Sequence, residues 1–157
     1  MSTFDYGFWE FAIEKHGRLK LPTALLKSLP ENERQHFWLT RGEGAHITLW
    51  TETAFRAKMD FINSLNRNII QNRNYRNAFL CNMAAVECDA QDRFVIPKRL
   101  MDFYKIEKDV VLVLDNGKMD IWSASKYHEE FNMPPAEFEL LNEKIYSTHQ
   151  TDPFENF

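Results

Sequence analysis

Arg18 and Arg93 are the residues of this chain whose setting invites chemistry. Each follows a carboxylate by four positions and opens an alternating run that ends in proline: Glu14-Lys-His-Gly-Arg18-Leu-Lys-Leu-Pro22 and Asp89-Ala-Gln-Asp-Arg93-Phe-Val-Ile-Pro97. Successive strand side chains leave on opposite faces. Arg18 and Lys20 therefore share one face of a strand and Leu19 and Leu21 the other, while Phe94 and Ile96 repeat the apolar face. A cationic strand face of this kind can make salt-dependent phosphate contacts and reach guanine O6 and N7 in a major groove wide enough for a two-stranded ribbon. Lys15 adds a second charge beside Arg18, and His16 sits within the same loop. Lys98 and Arg99, next to Pro97, suit either a helix surface or a backbone contact. Glu14 and Asp89 are placed to form an intra-turn ion pair that fixes each loop, a structural role also open to the arginines. Exposed pairs of that kind contribute only about 0 to 1 kcal/mol, so stability alone is a poor reason for placing one twice.

No other constellation competes. His16, His36, His46, His128 and His149 are scattered, without metal-ligand spacing. Cys81 and Cys88 have no second Cys or His pair, which leaves them as buried or half-buried thiols rather than a zinc site or a disulfide framework. Gly42-x-Gly44 lacks the third glycine and the following helix of a phosphate-cradling loop, and Ser123-Ala-Ser-Lys126 matches S-x-x-K by letters only. Catalysis has no candidate residues, and no enzyme activity, cofactor, metal or small-molecule substrate is expected.

The elements that must position the two arginines also occur twice. Ile47-Thr-Leu-Trp50 is echoed by Met119-Asp-Ile-Trp122, with Phe55 and Tyr127 each five residues beyond their tryptophan. The first copy is slightly longer, as Arg41-Gly-Glu-Gly44 against Asp115-Asn-Gly117 requires. Each copy reads as a strand, a short helix after the proline, a hairpin (residues 37–40 with 46–50, and 110–114 with 119–122) and a longer helix capped by Thr51 or Ser123. Trp50 and Trp122 are core or interface anchors. Units this small bury little surface alone, so the copies are expected to share one core. The organisation is a first repeat over 5–65, an Arg/Asn-rich connector helix over 66–86, a second repeat over 87–132 and an acidic C-terminal extension over 133–157, frayed from residue 150.

The net charge of −4 is unevenly spread. Residues 61–86 contain no acid and carry Arg67, Arg73 and Arg76, which suit a solvated connector, a bridge between subunits or a DNA contact. After Tyr127, Glu129, Glu130, Glu137, Glu139, Glu143, Asp152 and Glu155 face only Lys144, so the remainder is slightly basic. No apolar run is long enough for a membrane span, and the first residues lack signal-peptide character. The expected location is the cytoplasm.

With two motifs in register, each followed by a hairpin ending in tryptophan, residues 5 to 131 resemble the MraZ family, whose hallmark is a D-x-x-x-R motif in each half. The resemblance implies an α+β fold with a mostly β core and flanking helices, in which two fused AbrB-like swapped-hairpin half-domains share a pseudo-two-fold β-barrel core. It also implies a nucleoid-associated transcriptional regulator of cell-division and cell-wall genes that assembles into a homo-oligomeric ring on short promoter direct repeats. Carried onto this sequence, the DNA-binding residues are Lys15, His16, Arg18, Lys20, Arg93, Lys98 and Arg99, with Glu14, Gly17, Asp89 and Asp92 shaping the motifs. The sequence departs from the pattern at Glu14, where Asp is usual, and at Asp92, where glycine is usual. Asp92 can keep a left-handed turn, but it sets a negative charge beside Arg93, so Arg18 is weighted above Arg93. Two other functions stay open: a structural or protein-interaction ring whose acidic extension recruits a basic partner, and an antitoxin-like repressor with a toxin-binding tail.

Overall fold

The two proline-terminated motifs do form strands, and those strands pair with each other. The computed structural model describes residues 5–148. Eight strands and six α-helices lie among them: β1 (Tyr6–Ala12), β2 (Arg18–Lys20), α1 (Thr23–Lys27), β3 (His36–Arg41), β4 (Ile47–Thr51), α2 (Glu52–Ser64), α3 (Ile70–Leu80), β5 (Ala84–Glu87), β6 (Arg93–Val95), α4 (Lys98–Phe103), β7 (Asp109–Asp115), β8 (Lys118–Ser123), α5 (Ala124–Phe131) and α6 (Pro135–Thr148). The architecture is mixed α+β. Six strands form a sheet in the order β1-β7-β8-β4-β3-β5, and β2 and β6 form a separate two-stranded ribbon. Every pairing is antiparallel.

Local sequence explains most of these elements. The run Val110-Val-Leu-Val-Leu114 is β-branched and apolar on both faces, and it lies between β1 and β8 inside the sheet. Asn116 and Gly117, with φ of 49° and 85°, make the two-residue turn that closes the β7–β8 hairpin at Asp115↔Lys118. Thr51 Oγ1 accepts from the Ala54 amide at 3.2 Å and Ser123 Oγ from the Lys126 amide at 3.2 Å, so both hydroxyls cap their helices. Pro22 and Pro97 stand one residue before α1 and α4. The segment expected as one connector helix over 66–86 is helical only over Ile70–Leu80 and ends in a strand. Ala84-Ala-Val-Glu87 alternates too weakly in hydrophobicity to announce β5, which is instead fixed by pairing with β3.

A single buried cluster holds the inward residues of both motifs, Leu19, Leu21, Phe94 and Ile96, with Phe37, Leu39, Leu49, Leu112, Met119 and Ile121 of the sheet. A smaller cluster, Phe55, Ile62 and Phe79, lies under Trp38 and Trp50. Trp50 donates its indole N–H to Thr40 Oγ1 at 2.7 Å, and Trp122 stacks on buried His46 with ring centroids 4.4 Å apart. Cys88 is buried, which pushes its thiol pKa up to about 12, whereas Cys81, expected to be at least half-buried, is exposed. It follows the last turn of α3, where its thiol donates to Ala78 O at 3.4 Å.

The chain divides into two compact units, Met1–Lys126 and Tyr127–Phe157. Within the second, Tyr127 packs on Phe131 at 4.8 Å between ring centroids, and α6 exposes Phe138, Leu140, Leu141 and Ile145. His149 and the stretch expected to fray lie outside the described residues. No helix among the described residues is long and apolar enough to cross a membrane.

Candidate nucleic-acid interface

Register decides what the ribbon presents. Arg18 lies opposite Val95, Leu19 opposite Phe94, and Lys20 opposite Arg93. Leu19 and Phe94 point into the core, at 0% and 2% exposure. Arg18, Lys20, Arg93 and Val95 therefore share the outward face. Both motif arginines thus belong to one surface, not to two.

Four backbone hydrogen bonds lock that geometry. The Glu14 amide donates to Arg18 O at 2.9 Å, and the Asp89 amide to Arg93 O at 2.8 Å. The Leu21 amide donates to Asp92 O at 2.9 Å and the Ile96 amide to Gly17 O at 2.9 Å, stitching each loop to the other motif's strand. The chain must turn left-handed before each arginine: Gly17 has φ 76° and Asp92 φ 61°, with His16 also at φ 63°. At Gly17 a Cβ would lie 2.9 Å from Met101 Sδ and 3.1 Å from Ile96 O, so glycine is demanded there twice over.

The two arginines differ in what they touch. Arg93 is held on three sides, by Asp89 Oδ2 at 3.3 Å from Nε, by Glu14 Oε1 at 3.4 Å from Nη1, and by Gln91 Oε1, which accepts from Nη2. Asp89 also accepts the Arg93 amide at 3.0 Å and the Gln91 amide at 2.9 Å. Those hydrogen bonds, the Arg93 amide foremost, hold the Asp89 carboxyl below the ordinary aspartate value of 3.8. Arg18 is exposed, and among the described residues its side chain has no ion pair. The expected intra-turn pair thus forms in the second motif only, because Glu14 reaches across to the opposite arginine. Asp92, the neighbour expected to burden Arg93, makes no ion pair with it; Asp89 and Glu14 do that instead.

Lys15, His16 and Lys20 are exposed around Arg18. Lys98 and Arg99 occupy the exposed first turn of α4. Cations there oppose the helix dipole, a cost of about 0.3–1 kcal/mol each, so helix stability does not account for them. Of the connector arginines, Arg76 donates to Asn63 Oδ1 at 2.6 Å and ties α3 to α2, while Arg67 and Arg73 remain exposed. Among the described residues no group of three or more His, Cys, Asp or Glu could hold a metal ion. The pairing of Glu14 with Arg93 could not be read from spacing, because the two residues meet only through the β2–β6 register.

A basic two-stranded ribbon mounted on a mixed sheet, with the same strand-strand-helix-strand-strand-helix order on either side of α3, is the site to be compared. The family model described as "MraZ protein, putative antitoxin-like" matches residues 79–150. The "Transcriptional regulator MraZ" of Cytophaga hutchinsonii is 30% identical over 141 residues, covering 90% of this chain and 93% of the relative. Proteins of the same name from Christiangramia forsetii (29% identical, covering 93% of this chain and 95% of the relative) and Mycoplasmopsis pulmonis (31%, 78% and 80%) are also similar. This chain belongs to the MraZ family.

Proposed function

We propose that the protein is a DNA-binding transcriptional regulator, soluble in the cytoplasm and associated with the nucleoid, that reads promoter DNA with the β2–β6 ribbon. The observation carrying this reading is the register that sets Arg18, Lys20 and Arg93 on one outward face, in a ribbon of the width the major groove admits. Lys15, His16, Lys98 and Arg99 flank it as phosphate contacts. The relatives' shared name supports regulation as the role. The pairing of β1 with β7 and of β5 with β3, each across the two halves, supports a swapped-hairpin duplication around a pseudo-two-fold core.

A single ribbon offers few cations, so useful affinity calls for several tethered copies acting at high effective concentration. A head-to-tail ring keeps every subunit in the same sense and matches short direct repeats, where a two-fold dimer would match a palindrome. The targets proposed are cell-division and cell-wall genes, beginning with the protein's own operon. The test is a gel-shift titration at about 0.1 M salt, near a Debye length of 10 Å, with the DNA upstream of its coding region. Binding in preference to random duplex is expected; equal binding to both would end this reading.

A second reading, a ring that recruits a partner through the acidic extension, draws on α6, where Phe138, Leu140, Leu141 and Ile145 are exposed beside Glu137, Glu139 and Glu143. Deleting the chain after Phe131 separates the two. Loss of a partner with DNA binding intact favours recruitment, and unaltered partner binding rejects it.

A further inference from the structure

Away from the ribbon, three cations and three aromatic rings meet around one cavity of about 210 Å³. Arg41 (β3), Trp50 (β4), Lys58 (α2), Tyr75 and Phe79 (α3) and Lys118 (β8) line it. The only acid in its wall is Glu43, and Lys118 Nζ already takes it at 2.9 Å, a pair that holds the Glu43 carboxyl below its usual range. Asp120, behind the wall, accepts from Thr48 Oγ1 at 3.0 Å and faces His46 Nε2 at 3.2 Å. Among the described residues neither Arg41 nor Lys58 makes an ion pair with a carboxylate, although the Lys58 charge also helps to lower the Glu43 pKa.

Their neighbours are neutral rings and hydroxyls, the Tyr104 hydroxyl bonding the Arg41 side chain among them. Lys58 Nζ donates to the Tyr75 hydroxyl at 2.9 Å and lies 5.5 Å and 5.7 Å from the Tyr75 and Phe79 ring centroids. The Arg41 guanidinium carbon is 4.9 Å from the Phe103 centroid, and its Nε is buried with no hydrogen-bond partner among the described residues. Half-desolvated cations without counter-ions are costly, and an anion that completes them recovers that cost. The aromatic wall favours a flat ring for the remainder of such a ligand. At 210 Å³ the cavity falls short of the roughly 300–1,000 Å³ of drug-sized sites, which restricts it to a single ring.

We propose that this cavity binds a small anion carrying one aromatic or heteroaromatic ring, with the anionic group on Arg41 and Lys58 and the ring against Trp50 and Phe79. The site shares no residue with the ribbon and stands independently of the DNA-binding reading. Occupancy ties α3 to the β3–β4 hairpin, which gives the regulator a ligand-sensing element beside its sheet.

Isothermal titration of the full chain with phenyl phosphate, phenol and inorganic phosphate tests this. Phenyl phosphate is expected to bind in the roughly millimolar range typical of so small a ligand, with phenol and phosphate each weaker by about tenfold or more, the value of a lost charge-assisted contact. Lys58→Gln and Arg41→Gln should each weaken phenyl phosphate by a similar factor. Ala78→Phe, which fills the cavity and keeps every cation, should abolish binding, while DNA binding and the far-UV spectrum of these variants stay unchanged. No saturable binding of phenyl phosphate, equal affinity for inorganic phosphate, or loss of binding on Arg18→Gln instead of Lys58→Gln would each overturn the proposal.

Discussion

Replacing Glu14 with glutamine should strengthen DNA binding, although it removes an ion pair. Glu14 Oε1 lies 3.4 Å from Arg93 Nη1, with the side chains 45% and 23% exposed, so the pair is surface-screened and its loss costs the fold at most about 1 kcal/mol. Two gains on DNA oppose that cost. The freed Nη1 edge of Arg93 can neutralise one more phosphate, which steepens the plot of log K against log salt by about 0.9 per ribbon. A phosphate bound at Arg93 would stand roughly 4 Å from the Glu14 carboxylate, so removing that charge also relieves repulsion of about 1 kcal/mol in water. Together they amount to an affinity rise of roughly fivefold at about 0.1 M salt. Fluorescence anisotropy on the upstream DNA at several salt concentrations measures both quantities. The double variant Glu14→Gln with Arg93→Gln should return the slope to that of the parent, since the two residues act through one contact. Weaker binding with an unchanged slope in Glu14→Gln would refute the reasoning, because the carboxylate would then not be restraining a DNA-facing arginine.

Charge removal at Arg18 should cost more than the same change at Arg93: Arg18→Gln is expected to lose about 1–3 kcal/mol of discrimination between operator and random duplex, read by the same titration, whereas Arg93→Gln loses less because Asp89 and Gln91 already occupy it. Gly17→Ala, forced to φ 76° with its Cβ 2.9 Å from Met101 Sδ, should destabilise the fold by about 1–3 kcal/mol in a thermal melt. The Asp89 carboxyl, with its folded pKa depressed below 3.8, contributes stability that is complete above that value and is lost as pH falls through the folded pKa. Urea midpoints at about pH 6 and about pH 3 should therefore converge more for Asp89→Asn than for the parent.

The local parts of this fold were legible because their signals are local. Alternation marked β2 and β6, hydroxyls after tryptophan marked the caps of α2 and α5, and Asn116-Gly117 marked a hairpin. What could not be read depends on which distant segments meet. β5 is made a strand by β3, and its own Ala84-Ala85 pair has little strand preference. The same holds at the site. The residues of both motifs were legible, but the convergence of Arg18 and Arg93 on one ribbon, and the reach of Glu14 across it, are properties of the register. The Arg41–Lys58 cavity carries no spacing signature, since its lining comes from five separate elements and their connecting turn.

The departure of the two motifs from each other has a physical consequence for how such a ribbon would read DNA. Two identical halves would place the same pair of residues at each end of the β2–β6 ribbon and present a two-fold face, suited to a palindrome. Here one end carries Arg18, without an ion pair among the described residues, opposite apolar Val95, and the other carries Lys20 opposite an Arg93 already held by Asp89 and Glu14. Lys98 and Arg99 extend the charge beyond the second motif only, since Pro22 is followed by Thr23 and Ala24. The face therefore has a direction, strong in free charge at Arg18 and self-neutralised at Arg93. A directional face makes its best contacts in one orientation along the duplex, which is the demand that direct repeats place on every subunit of a head-to-tail assembly. By that argument, releasing Arg93 from the first motif's carboxylate by Glu14→Gln, and giving the second loop the glycine of the first by Asp92→Gly, should together raise affinity while narrowing the preference between a half-site and its inverted copy. A preference that stays unchanged as affinity rises would place the source of direction elsewhere than in the ribbon.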